Sequence, residues 1–158
     1  MNLSPNFTLE EATVSDTAAR LGIDNQPDAV SLANMIDTAS KLELLRAYLG
    51  KPIHTTSWYR SPVLNIVIPG SSRTSAHMTG YAVDCHVSGL SALELCKEAA
   101  RFFDSNNIPY DQIIHEYGKW MHISFTPTYR RQTLTIFKNN SGKKYVAGLL
   151  TEKEYNLI

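Results

Sequence analysis

At 158 residues the chain is long enough to bury a core without disulfide staples or a partner subunit, so one domain spanning 1–158 is expected. Its 15 Lys and Arg balance 15 Asp and Glu, which excludes a net field holding it on phosphate backbones or anionic lipid, and no nucleic-acid partner is expected. No apolar run approaches a membrane span, and the first residues lack the basic region and apolar stretch of a secretory leader, so the expectation is no membrane insertion and synthesis in the cytoplasm.

In chain order, the pattern predicts helices over about 8–49. The first runs from Thr8 to Leu21, with Thr8 and Glu11 as a capping box and Gly22 as the stop. The second runs from Asp28 to Leu49, where Leu32, Met35, Ile36, Ala39, Leu42, Leu45 and Leu49 recur at helical spacing before Gly50 and Pro52. "IHTTSWY", 53–59, is β-branched and aromatic and reads as a strand that delivers Arg60 to its end, with Pro62 opening a short helix. "VIPGSSRTS" reads as a loop. "YAVDCHV", 81–87, alternates, placing Val83 and Cys85 on one face and Asp84 and His86 on the other. A helix over Ser91 to about Asn106 follows, with Ser91 and Glu94 as a second capping box and Leu95, Ala99 and Phe102 buried. "YDQIIHEY" and "WMHISFT" read as two strands around a turn at Gly118, and "QTLTIFKNNSGKKYVAGL", 132–149, in a tail of about 127–158, reads as another hairpin. Cys85 and Cys96 sit in no ligand spacing and read as small buried hydrophobes.

Four of the five histidines, with an aspartate and a glutamate, fall in "SAHMTGYAVDCH" (75–86) and "HEYGKWMH" (115–122). His77, Asp84 and His122 make a set of two imidazoles and one carboxylate, a shell that leaves a coordination position for water and suits catalytic Zn²⁺. Gly80 between the first two would let the backbone bend so that they converge. Turn length decides what accompanies them. If the last turn holds three residues, Glu116 faces Trp120 and shares a face with His122; if it holds two, His115 lies opposite His122 instead. The odd turn is favoured, because it keeps Ile113 off the polar site and supplies a base. Zinc lowers the pKa of a bound water to about 7, and Glu116 is placed to take its proton while Arg60 stabilises the oxyanion formed on amide attack. Trp58, Tyr59, Tyr81, Tyr117 and Trp120 read equally as a substrate-stacking wall or as packing. His54 and His86 read as surface or hydrogen-bonding residues.

At "SWYRSP", "SAHMTGYAVD" and "WMHISF" the sequence resembles the zinc D-alanyl-D-alanine carboxypeptidases and related peptidoglycan endopeptidases, which share a fold with hedgehog signalling domains. The opening "FTLEEATVSDTAARLGIDNQP" is similar to their phage and prophage branch, and the resemblance covers most of residues 7 to 137. It implies an α+β fold of hedgehog/DD-peptidase type: a small, mainly antiparallel sheet with helices on one side and an open zinc cleft on the other, with the metal-site core at about 53–126. It also implies His77, Asp84 and His122 as zinc ligands, Arg60 as a transition-state or substrate-carboxylate contact, and Ser75 as a substrate-side hydrogen-bonding residue. Trp120 is expected beside the substrate as part of the aromatic wall. Some relatives carry an acidic residue three positions before the last histidine, where this chain has Lys119, or a histidine two before, where it has Trp120. Glu116, six before, resembles the glutamate arrangement of the hedgehog-like branch. Relatives often carry a Gly pair in the loop before His77, where this chain has Pro69 and Gly70. The expected partner is a peptidoglycan stem peptide, which the protein would reach through a lysis pore or aboard a virion, with virion or tail components as further partners in the second case. The alternative from another class is a zinc-containing, catalytically silent cell-wall or protein-binding module.

Overall fold

The computed structural model describes residues 1–158. A short hairpin of β1 (Asn2–Ser4) and β2 (Phe7–Thr8), absent from the expectations, leads into α1 (Leu9–Thr13), where Thr8 and Glu11 form the reciprocal capping box. The single helix expected over Thr8–Leu21 is two. Val14 turns extended and Ser15 caps α2 (Asp16–Leu21), which ends at the left-handed Gly22. The break has a tertiary cause. The carbonyl of Ala12 accepts from the Tyr59 N–H at 2.9 Å and that of Thr13 from Asn25 Nδ2 at 2.8 Å, so acceptors that would continue the helix serve other segments.

Helix α3 (Ala29–Leu49) begins at the Asp28 cap and ends at Gly50, as its pattern predicts. Met35, Ala39, Leu42 and Leu45 are fully buried, each large side chain stabilising by roughly 1.5–3 kcal/mol, whereas Ile36 is exposed on the far side. β3 (His54–Ser57) and α4 (Pro62–Val67), capped by Ser61, follow. The polar loop after α4 closes in a 3-10 turn, Ala76–Thr79, before β4 (Ala82–His86). α5 (Ala92–Ser105) is capped by the Ser91 hydroxyl, but only that half of the expected box forms, and Phe103 rather than Phe102 is the fully buried phenylalanine. β5 (Gln112–Glu116) and β6 (Trp120–Ser124) form a hairpin. The tail supplies β7 (Gln132–Ile136), β8 (Val146–Ala147) and a terminal helix, α6 (Glu152–Asn156), which the pattern did not suggest.

Six strands form one sheet in the order β3-β4-β6-β5-β7-β8, antiparallel throughout except for the parallel pair β5/β7. The fold is thus mixed α and β with a mainly antiparallel sheet. Its faces differ in chemistry because side chains alternate. Val83, Cys85, Ile113, Met121 and Ile123 point into a core of 22 buried residues shared with α3 and α5, and both free cysteines are buried there. On the opposite face, Ser57, Asp84, His122, Ile114 and Leu134 follow one another across five strands in a single row. No helix is long and apolar enough to cross a membrane.

Candidate metal centre

Asp84 on β4 pairs directly with His122 on β6, which brings the carboxylate Oδ1 to 3.0 Å from His122 Nδ1. His77 arrives from the 3-10 turn, with Nε2 3.4 Å from Asp84 Oδ2, and its ring meets that of His122 edge-on at 5.1 Å. Three potential ligand atoms, one per residue, lie within 4.8 Å of one another.

The backbone conformation that delivers His77 is over-determined. Ser75 caps the turn, its Oγ accepting the His77 N–H at 3.2 Å. Gly80 closes it at φ 84°, so tight against α3 that an added Cβ would stand 2.6 Å from Met35 Cγ and 2.7 Å from the Ser31 carbonyl oxygen. The Gly80 carbonyl accepts from Thr38 Oγ1 and Trp58 Nε1, both at 3.1 Å. His77 Nδ1 lies 2.6 Å from the Trp58 carbonyl oxygen. A carbonyl only accepts, so Nδ1 carries the proton and the Nε2 lone pair is left facing Asp84. Trp58 is therefore buried core whose carbonyl orients a histidine, rather than part of a substrate wall.

The donor set fits zinc. Ligand bonds of about 2.1 Å at a tetrahedral angle separate donors by about 3.4 Å, and the observed spacings of 3.4 Å and 3.0 Å to Asp84, with the three donors within 4.8 Å of one another, are of that order. The charge distribution suits a cation too. Asp84 is buried, which by itself disfavours ionisation, but His77 and His122 outweigh that and hold its carboxyl well below the usual range. Burial keeps His77 neutral, as a ligand must be. For His122 burial acts in the same direction, but the Asp84 carboxylate outweighs it and raises its pKa.

The β5–β6 turn holds three residues, with Tyr117 and Gly118 both at positive φ, and Glu116 pairs with Trp120. Glu116 thus shares the face of His122, its Oε1 3.8 Å from His122 Nδ1. Burial pushes the Glu116 carboxyl up to about 7, with His122 opposing and Asp84 adding to the rise. His115 pairs with Met121 on the other face, is buried, and donates from Nδ1 to the Leu150 carbonyl at 3.0 Å. Arg60 enters from the end of β3, Nη2 3.4 Å from Ser75 Oγ, and its buried Nε has no partner in the chain. His54 and His86 stack on each other, both exposed, at the β3/β4 pair.

Arg60, His77, Asp84, Glu116 and His122 open into one cleft of about 990 Å³ lined also by Ser75, Tyr117 and Trp120, whereas His54, His86 and His115 do not line it. Sequence reasoning missed three supports. Asn25 holds the Arg60 segment from below: its Nδ2 donates to the Tyr59 carbonyl at 3.1 Å and its Oδ1 accepts the Ser61 N–H at 2.8 Å. Asp111 and Arg130 shape one wall, and Tyr145 lines the cleft from the tail. Asn25 stands in a polar stretch before Pro27 with nothing local to distinguish it, so no pattern could have singled it out.

A family model described as Peptidase M15 matches residues 5–124. The chain belongs to the peptidase M15 family. Membership makes this M15 protein a metallopeptidase, and M15 peptidases are typically zinc-dependent, in keeping with the His77, Asp84 and His122 cluster. The match spans every residue of that cluster and both flanks of Glu116, and stops at the end of β6. No curated protein matches the chain.

Proposed function

We propose that this M15 peptidase hydrolyses peptide bonds in bacterial peptidoglycan stem peptides, at a D-alanine-type link, as a carboxypeptidase or endopeptidase of the phage lysin or virion-associated kind. The observation that carries the hydrolytic reading is the convergence of His77, Asp84 and His122 with Glu116 on one sheet face inside an open cleft. The wall-peptide target and phage setting rest on the resemblance of "SAHMTGYAVD", "WMHISF" and the N-terminal stretch to that branch.

His77, Asp84 and His122 would hold the zinc ion, which when bound supplies Lewis acidity toward water and the scissile carbonyl. Glu116 accepts a proton from the attacking water as its oxygen bonds to the carbonyl carbon. It then gives that proton to the amide nitrogen as the C–N bond breaks, leaving a carboxylic acid and an amine, and the acid's remaining proton passes to the amine to give carboxylate and ammonium. A carboxyl group held near 7 suits both transfers. Arg60, whose buried Nε is unpartnered, stabilises the negative charge on the carbonyl oxygen or receives a substrate carboxylate. Ser75 holds the Arg60 guanidinium and the His77 backbone in one frame, and Trp120 flanks the substrate beside Glu116.

The deciding experiment is mass spectrometry of purified peptidoglycan digested by zinc-loaded protein, its chelated form and Glu116→Gln. The expected result is cleavage by the first alone, with Glu116→Gln retaining one zinc per chain and losing about 10²–10⁴-fold in rate. A released single amino acid indicates carboxypeptidase action and a cut cross-link endopeptidase action. Zinc-loaded protein that binds wall fragments without cutting them is a binding module and ends the hydrolytic reading.

A further inference from the structure

The segment after residue 124 lies beyond the family match, yet it reaches the cleft. Between β7 and β8 the chain makes a long return whose last residue, Tyr145, lines the same cavity as Glu116, Tyr117 and Trp120, with 53% of its surface exposed. The return is anchored at its base. Asn139 Oδ1 accepts from the Ser141 N–H at 3.1 Å and the Lys143 N–H at 2.9 Å, while its Nδ2 donates to the Lys143 carbonyl at 2.9 Å. The same Nδ2 lies 3.1 Å from the hydroxyl of Tyr155 on α6, and that hydroxyl donates to the Lys144 carbonyl at 2.9 Å, immediately before Tyr145. Lys143 Nζ returns a bond to the Tyr155 carbonyl at 2.6 Å and sits 4.5 Å from the centre of its ring. Tyr155 itself is fully buried against Phe137.

We propose that Tyr145 is a specificity-determining residue of the cleft, placed on the Glu116 side by the Asn139–Tyr155 anchor to contact an extended peptide. The ring offers a flat apolar face to the cavity that the Tyr117–Trp120 pair also lines, and the hydroxyl a donor for a peptide carbonyl. A phenol is protonated at neutral pH, and burial, followed by the Glu116, Tyr117 and Asp84 contributions, raises its pKa further, so the hydroxyl is a donor there. Tyr155 is a positioning residue, since it reaches the peptide only through the return it holds. The choice of a peptide ligand rests on the hydrolytic reading above.

The test uses the full zinc-loaded chain and a synthetic stem pentapeptide ending in D-Ala-D-Ala, with steady-state kinetics on active forms and calorimetric Kd on Glu116→Gln forms. Tyr145→Ala is expected to raise both KM and Kd about 10-fold with zinc content and Tm unchanged, and Tyr145→Phe about 3-fold. Tyr155→Phe should raise Kd about 3-fold on its own and add nothing in the Tyr145→Ala background, a non-additivity that a merely structural loss would not produce. Tyr145→Ala within 2-fold of the parent in KM and Kd, or an undiminished Tyr155→Phe effect in the double variant, overturns the assignment. If the unmodified protein cleaves the peptide while Tyr145→Ala is neutral, only the Tyr145 role falls. If it binds without cleaving, hydrolysis falls and Kd still judges Tyr145; if it does neither, both fall.

Discussion

A histidine becomes a useful metal donor only when its free nitrogen is aimed, and here a backbone carbonyl does the aiming. The Trp58 carbonyl fixes the proton of His77 on Nδ1, and Trp58 is itself held by its indole N–H on Gly80. Gly80 is thus the residue on which the turn depends, combining a positive φ with backbone contact against α3. Gly80→Ala is expected to cost about 2–4 kcal/mol, from strain at φ 84° and the clash with the Ser31 carbonyl, and to lower zinc occupancy as His77 shifts. Urea unfolding of the metal-free protein and metal analysis after dialysis check the two parts separately; a variant with parental stability and full zinc would show that the turn tolerates a side chain. The three residues of the cluster and Gly80 were legible from spacing and residue type. The hydrogen bond from His77 to Trp58 was not, because it joins residues 19 apart and its acceptor is a main-chain atom that every residue type carries.

Among the elements, the β5–β6 hairpin shows how one loop residue decides chemistry. Its three-residue turn puts Glu116 on the His122 face and buries His115 behind it; one residue fewer would exchange them. The segment after β6 makes a second wall through Asp111, only 3% exposed, which accepts from Thr128 Oγ1 at 2.8 Å and from Arg130 N, Nε and Nη2 at 3.0, 2.9 and 2.8 Å. Burial opposes ionisation of Asp111, but the Arg130 and Thr128 donors prevail and lower its pKa to about 2. A pKa below the unfolded value of about 3.9 means stability that is present above that pH and is lost as pH falls toward 2. With Arg130 half exposed, its size is on the order of 1–2 kcal/mol. Asp111→Asn should therefore be less stable than the parent at pH 7 by about that amount and lose less stability between pH 5 and 2. Denaturant titrations at both pH values measure this, and parallel acid profiles for the two proteins would contradict it. The sequence predicted the strands flanking this wall but not the wall, since an Asp and an Arg 19 residues apart carry no local period.

At the scale of the molecule, the family-matched part does not close the sheet by itself. β5, which carries Glu116, is paired on its outer side by β7, and Tyr117 N–H donates to the Ile136 carbonyl at 2.8 Å. Behind it Phe137 packs on both His115 and Tyr155. A chain ended after residue 131 would expose the β5 edge and strip that packing, so it is expected to aggregate and to lose its cooperative thermal transition, as light scattering and calorimetry would register. A monomeric truncation with the parental Tm would show the tail to be dispensable. By itself the sequence determined what is periodic or local: the long α3, the caps, the alternating β4, and the residue types able to hold a divalent cation. Only tertiary structure decided the split of the first helix, the parallel seat of β7, the terminal helix, and the reach of Tyr145 into the cleft. Each of these depends on which distant partner takes a backbone hydrogen bond or covers an apolar ring, and side-chain periodicity carries no record of that partner.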